Sequence, residues 1–237
     1  MQDFFSVDAP DMLNAGLHFG SKSNVWHPRM RKYIYGNSRE HSRHVIDVVQ
    51  GALCLRKAKR YLYEISRHNG TVLIVGTQHP MNSLVQRLEG KVAMHTIHTK
   101  WLGGMLTNWP TLARCVRMLN TLEILDKRGV LETLPPQEFL KIQKYMNRLQ
   151  KYLSGIKYMP GLPWVVIILG NGSEDGILNE CNKLDITTVG VIDTNCDPDA
   201  FDMYVPCNHG SPKSLSWIVH QLMVSLKGGY LENSLSR

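Results

Sequence analysis

The side chains in this 237-residue chain whose types and spacing could do chemistry fall into a few groups. Gly170-Asn171-Gly172-Ser173 follows an apolar run and precedes a helical pattern, the setting of a phosphate-cradling turn. A dinucleotide fingerprint would place a third Gly at position 175. Asp175 stands there instead, and with Glu174 it would repel a phosphate from the helix start. The chain carries no Walker sequence and no serine nucleophile elbow. Ten histidines raise the question of a metal, with His41-x-x-His44, His95-x-x-His98 and Cys207-x-His209 as the tightest pairs. None is matched by a second Cys/His cluster at zinc-module spacing. Asp193, Asp197 and Asp199 could hold a hard cation, or could serve as turn and helix-cap residues around Pro198. No set of His, carboxylate and nucleophile stands out for catalysis.

The remaining chemistry is that of binding. In Lys100-Trp101-Leu102-Gly103-Gly104-Met105-Leu106-Thr107-Asn108 a glycine pair removes side chains so that another surface can come close. Trp101 offers a ring to stack, Lys100 a charge for phosphate, and Asn108 before Trp109-Pro110 a helix start. A buried Trp at a domain elbow beside a flexible hinge would use the same residues. Near the N-terminus Lys22, Trp26, Arg29, Arg31 and Lys32 alternate with Tyr33, Tyr35, Gly and Pro, which suits an extended arm on a phosphate backbone. A solvated basic loop anchored by its aromatics is the alternative.

The elements that must position these groups follow from periodicity. Thr71–Gly76, Val165–Leu169 and Thr187–Ile192 are apolar runs of the kind buried on both faces of a parallel sheet. Val92–His95 reads as a further strand, Val45–Asp47 and Met203–Val205 as short ones. Helical spacing covers 48–65 with Arg56, Lys57, Lys59 and Arg60 as a basic outer face, then about 80–88 and about 174–184. A last helix opens at Ser211-Pro212 and closes at Gly228-Gly229. Strands alternating with helices predict an α/β fold, a parallel sheet flanked by helices. Between two strands lie two helices, about 110–127 and from Pro135-Pro136 onward. Their apolar residues (Leu112, Val116, Leu119, Leu122 and Leu125, then Phe139, Ile142, Met146, Leu149 and Leu153) form a coiled-coil-like seam, which predicts an inserted antiparallel hairpin. Arg114, Arg117, Lys141, Lys144, Arg148 and Lys151 avoid that seam and crowd the outside, where an anionic partner would meet them.

Charge supports the same reading. The net charge is +7, but residues 1–67 carry +5, residues 100–157 carry +6 and residues 158–237 carry −5. Two basic sectors and one acidic sector make a polarised surface that a polyanion would meet on one side. Five cysteines without Cys-x-x-Cys spacing read as reduced packing thiols. No apolar run is long enough to span a membrane. Asp3, Asp8 and Asp11 ahead of any basic residue argue against a secretory signal or transit peptide.

Several strings together are similar to the small-subunit ribosomal protein two family. They are Gly16-Leu17-His18-Phe19-Gly20, Trp26-His27-Pro28-Arg29-Met30, Val75-Gly76-Thr77, Trp101 to Asn108, Ser154-Gly155-Ile156-Lys157-Tyr158-Met159 and Asp193-Thr194-Asn195-Cys196-Asp197-Pro198. They occur in the family's order, and the Trp101–Asn108 string resembles its bacterial and organellar branch. The resemblance implies a flavodoxin-like parallel sheet with a projecting helical hairpin and no enzymatic activity. It implies a structural constituent of the small ribosomal subunit that binds ribosomal RNA and neighbouring proteins, among them, in bacteria, the ribosomal protein one family. Lys22, Trp26, Arg29, Arg31, Lys32, Lys100, Trp101 and Asn108 are the RNA-contact positions it implies; the hairpin cations rest on charge alone. It implies neither a small-molecule substrate nor a cofactor beyond a structural Mg2+ shared with the RNA.

Departures from the family pattern are Ser21 in place of a second His, Gln78 where a cation is common, Ser154 for the first Gly of a pair, and the string from Gly170 to Glu174. With the absent transit peptide they suit an organelle-encoded copy; Tyr158-Met159, Gly161-Leu162-Pro163, Ile167-Ile168-Leu169 and Glu180-Cys181 resemble plastid relatives more than mitochondrial ones, and the bacterial cytoplasm is left open. The expected organisation is a basic arm over 1–44, an α/β domain over 45–107 and 158–228, a hairpin over 108–157 and a tail over 229–237. The competing reading is a nucleotide- or small-molecule-binding enzyme of doubly wound type, built on the turn at Gly170.

Overall fold

The computed structural model describes residues 5–38, 42–90, 94–170 and 175–235. A short helix, α1 (Ala9–Asn14), leads into strand β1 (Phe19–Lys22), a 3-10 turn (Pro28–Tyr33), β2 (Ile34–Ser38) and β3 (Arg43–Ile46). These strands form a small antiparallel sheet in the order β1-β3-β2. The segment expected to be an extended arm is therefore folded. Met30 and Tyr33, three apart on the 3-10 turn, are both buried, so the turn has an apolar side to put down. The Tyr33 and Tyr204 hydroxyls lie 2.7 Å apart, and the His27 amide donates to the Thr194 carbonyl at 2.8 Å. These bonds tie the ribbon to the far end of the chain.

Helix α2 (Val48–Arg67) starts at Asp47, whose carboxylate accepts from the Val49 and Gln50 amides. It is followed by β4 (Val72–Val75), α3 (Met81–Leu88), β5 (His95–Ile97), α4 (Trp109–Lys127), α5 (Pro136–Leu153), β6 (Val165–Leu169), α6 (Asp175–Lys183), β7 (Thr187–Ile192), β8 (Met203–Pro206) and α7 (Pro212–Leu235). Strands β4 to β8 form one parallel sheet in the order β5-β4-β6-β7-β8. This is an α/β fold with a five-stranded parallel sheet, and β4 and β6 are buried along their whole length.

Alternate strand residues feed two cores. Val72, Ile74, Val165, Ile167, Val189 and Val191 pack with α1, α2, α3 and α7 on one face. Leu73, Val75, Val166, Ile168 and Ile192 pack on the other with α6, the base of the α4–α5 hairpin, and Met30 and Tyr33. Period-two alternation between two apolar faces is why these strands read as continuous apolar runs. Most of the expected hairpin seam is formed: Val116, Leu119, Leu122, Met146 and Leu153 are buried, with Leu112, Ile142 and Leu149 packed beside them, whereas Leu125 and Phe139 are only half-buried and lie outside this cluster.

Three expectations are corrected. Strand β5 runs on from His95 to Ile97 instead of ending at His95, and Val92 and Ala93 lie outside the described residues. Lys59 is not on a solvated face: it is 2% exposed, and its ammonium donates to the Ser6 carbonyl at 3.1 Å and Gln221 Oε1 at 2.8 Å. Nor does Gly228-Gly229 end the last helix, since α7 continues to Leu235 and takes in most of the expected tail. Both glycines are buried where α7 crosses α2. A Cβ on Gly229 would lie 2.3 Å from the Tyr63 carbonyl oxygen and 2.0 Å from Ser66 Oγ, so the pair serves close helix approach, not a stop.

Candidate nucleic-acid interface

The Trp101–Asn108 loop is built around one carboxylate. Glu180 sits on α6 among Ile177, Leu178 and Cys181, all buried, and is itself only 8% exposed. Its Oε1 accepts from the Trp101 indole N–H at 2.9 Å and the Gly104 amide at 2.8 Å. Its Oε2 accepts from the Leu106 amide at 2.9 Å, the Thr107 amide at 3.1 Å and the Thr107 hydroxyl at 3.2 Å. Gly104 has φ +85°, a left-handed conformation that turns its amide toward the carboxylate and that an L side chain would resist. Burial pushes the Glu180 pKa up. The hydrogen bonds from Thr107, Leu106, Trp101 and Gly104 outweigh it and hold the carboxyl below its ordinary range.

This loop is fastened at its centre and open at its ends. Met105 and Leu106 are buried, whereas Lys100 and Asn108 are exposed. Asn108 holds the N-cap position of α4 with no side-chain hydrogen bond to the helix, and the residue is exposed. Trp101 is half-buried with its N–H already engaged, which leaves the ring face as what it can offer. The domain-elbow reading thus describes the Trp101 N–H, and the exposed-contact reading describes Lys100 and Asn108.

On the ribbon, Lys22, Arg31 and Lys32 are exposed, and Trp26 is 40% exposed with its ring 5.6 Å from that of His44. Arg29 is different. It donates to Asp197 Oδ2 at 2.8 Å, and its Nε lies 3.4 Å from Asp199 Oδ2. On the hairpin, Arg114 and Arg117 lie one turn apart on α4. Lys141, Lys144, Arg148 and Lys151 recur three and four apart on α5, which puts them on one stripe, and all six are exposed. Among the described residues, no carboxylate comes within ion-pair distance of these six, of Lys100, or of Lys22, Arg31 and Lys32. By contrast, Lys157 is paired with Glu123 at the hairpin base and Arg67 with Glu64 and Glu232.

The acidic string has structural work. Asp193 is 3% exposed and accepts from the Ser21 amide at 3.1 Å, the Ser21 hydroxyl at 2.9 Å and the Thr194 amide at 2.6 Å, with His209 Nδ1 3.1 Å away. Asp197 caps the 3-10 turn Pro198–Ala200 by accepting from the Asp199 amide, besides pairing with Arg29. Among the described residues no group of three or more His, Cys, Asp or Glu is placed to hold a metal ion, and no helix is long and apolar enough to cross a membrane. Positions 171–174 of the Gly170–Glu174 turn, and His41, lie outside the described residues. Cys181, Cys196 and Cys207 are buried thiols outside any disulfide; burial, then the nearby Glu180 and Asp202 charges, push Cys181 up to about 12.

An α/β scaffold with uncompensated cations displayed on a ribbon, an elbow and a projecting hairpin is the class of molecule defined here. Comparison with known proteins agrees: residues 12–229 match the model of the family described as ribosomal protein S2. Small ribosomal subunit protein uS2c of Mesostigma viride is 38% identical over 94% of this chain and 97% of its own length. Small ribosomal subunit protein uS2 of Synechococcus sp. (strain JA-2-3B'a(2-13)) is 36% identical over 94% of the chain and 84% of its own length. The uS2c protein of Paulinella chromatophora is 34% identical over 94% and 92%. The chain belongs to the ribosomal protein S2 family, whose members are structural components of the ribosome and not enzymes.

The residue pattern offered Asp193 as a turn or cap residue but gave no organising role to Glu180. A carboxylate three residues after Ile177, on the same helix face as Cys181, was the available signal for Glu180: a charge in an apolar stripe needs partners.

Proposed function

We propose that this chain is a structural constituent of a small ribosomal subunit that grips ribosomal RNA with three displayed groups. These are Lys22, Trp26, Arg31 and Lys32 on the ribbon, Lys100, Trp101 and Asn108 at the elbow, and Arg114, Arg117, Lys141, Lys144, Arg148 and Lys151 on the hairpin. Arg29 joins the first group as the residue that orients the ribbon. The observation that carries this reading is the set of exposed Lys and Arg side chains without carboxylate partners among the described residues, on a chain of the ribosomal protein S2 family. Charges left uncompensated on a rigid scaffold match a phosphate backbone, which supplies affinity through counterion release.

The acidic final third is the side offered to neighbouring ribosomal proteins, the ribosomal protein one family among them. The particle is that of an organelle, the chloroplast first. Relatives named uS2c in Mesostigma viride and Oltmannsiellopsis viridis support that choice. Any Mg2+ is one shared with the RNA. Sedimentation of cell extract through a sucrose gradient tests the reading. The chain should travel with the small subunit and leave that fraction when the RNA is digested; a chain that stays at the top of the gradient contradicts it.

A further inference from the structure

An open cavity of about 1070 Å³ lies between α3, the carboxyl ends of β4 and β5, and the second half of α5. Space outside the carboxyl ends of parallel strands is where α/β sheets hold ligands, and here the inserted hairpin supplies the opposite wall. Besides Glu89, whose carboxylate lies 3.8 Å from His98 Nδ1, the lining combines three chemistries. Lys100 and Lys151 bring positive charge, Trp101 and Tyr152 bring rings, and Gln86 and Asn147 bring side-chain amides. Neither amide has a hydrogen-bond partner among the described residues, and both residues are exposed. The Glu180 carboxylate holds the Trp101 N–H, so that ring is fixed in place before any ligand arrives. Lys151 stands 5.5 Å from the centre of the Tyr152 ring.

A surface that only tracks phosphates needs cations alone. Free carboxamides beside a fixed ring are what a base adds, because amides pair with base edges and rings stack on base faces. We infer that this cavity takes one unpaired nucleotide, its base stacked on Trp101 or Tyr152 and edged by Gln86 and Asn147, its phosphates held by Lys100 and Lys151. The inference rests on the ribosomal-RNA reading and deepens it: the elbow and the hairpin act as two walls of one pocket for single-stranded RNA. A nucleotide could also arrive as a free mononucleotide, and the test separates the two sources.

Ultraviolet crosslinking of intact small subunits, with the crosslinked peptides sequenced by mass spectrometry, is the first arm. A nucleotide attached to Trp101 or Tyr152 is the expected result. Crosslinks on the ribbon or the outer hairpin face with none in the cavity overturn the pocket and leave RNA binding standing. Crosslinks from the cavity to a neighbouring protein overturn it as well, and no RNA crosslink anywhere overturns both readings. The second arm uses the purified full chain with a single-stranded oligoribonucleotide, a duplex of the same length, and AMP and UMP. The single strand should bind about tenfold more tightly than the duplex, and Gln86→Ala with Asn147→Ala should remove about tenfold of that without altering the salt dependence. Equal affinity for duplex and single strand contradicts the pocket. Saturable micromolar binding of the mononucleotide, with no preference for the single strand, contradicts RNA as the source.

Discussion

The indole N–H of Trp101 donates to Glu180 across 79 positions of sequence, at 2.9 Å, and the same carboxylate gathers the Gly104, Leu106 and Thr107 amides. A loop with two adjacent glycines is thereby held in one shape by a residue on another element. Its outward ends, Lys100 and Asn108, inherit that shape.

Replacing Glu180 with Ala should leave several partly buried donors without an acceptor. A buried donor left unpaired costs about 1–3 kcal/mol, so the variant should lose roughly 3 kcal/mol of unfolding free energy, and Glu180→Gln somewhat less. Urea unfolding measures this. A loss of only a few tenths would mean that the loop keeps its shape without the carboxylate.

The same site sets an acid dependence. The folded-state pKa of Glu180 is depressed below its ordinary 4.5, so its contribution is complete above that value and is lost as pH falls through it toward the folded value. Wild type should therefore lose stability as pH falls from about 5 to below 4, and Glu180→Gln should lose measurably less over the same interval. Parallel pH profiles would argue against a depressed carboxyl here.

Gly229 makes a prediction of opposite sign to helix propensity. In an exposed helix Gly→Ala stabilises by about 1 kcal/mol. Here the added methyl would meet the Tyr63 carbonyl and Ser66 Oγ at 2.3 and 2.0 Å, so Gly229→Ala should destabilise by about 1–3 kcal/mol through overpacking. A stabilised variant would show that the α2–α7 crossing has slack.

Arg29 and its neighbours should separate in RNA binding. Arg31→Ala and Lys32→Ala each remove a displayed charge and should reduce the slope of log affinity against log salt by about one. Arg29 is engaged by Asp197 and Asp199, so Arg29→Ala should change that slope less while loosening the ribbon, seen as faster amide exchange in residues 30–34. Equal slope changes for all three would mean that Arg29 leaves its carboxylates for phosphate.

Much of the scaffold was legible from residues alone, for a physical reason. Val72–Val75, Val165–Leu169 and Thr187–Ile192 face core on both sides, so their apolar runs have no competing interpretation. The hairpin declared itself through its seam. What stayed hidden depends on contacts distant in sequence. β1 is the run Phe-Gly-Ser-Lys with one buried residue, too weak a pattern to read as a strand until β3 pairs with it. Gly228-Gly229 has the local grammar of a helix stop, and only the approach of α2 makes it a contact. Lys59 looks solvated until Ser6 and Gln221 are seen around it. Of the interface, the cations were legible as charge; which are displayed and which are tethered, as Arg29 is, required the fold.

The central claim is that displayed cations on the hairpin bind ribosomal RNA. Small-subunit RNA binding should be followed across salt concentration for wild type and for a chain with Arg114, Arg117, Lys141, Lys144, Arg148 and Lys151 all changed to Ala. The exposed positions leave folding intact, which circular dichroism checks. A markedly shallower salt slope with weaker binding in the variant is the predicted result; the same affinity and slope in both chains would contradict the account.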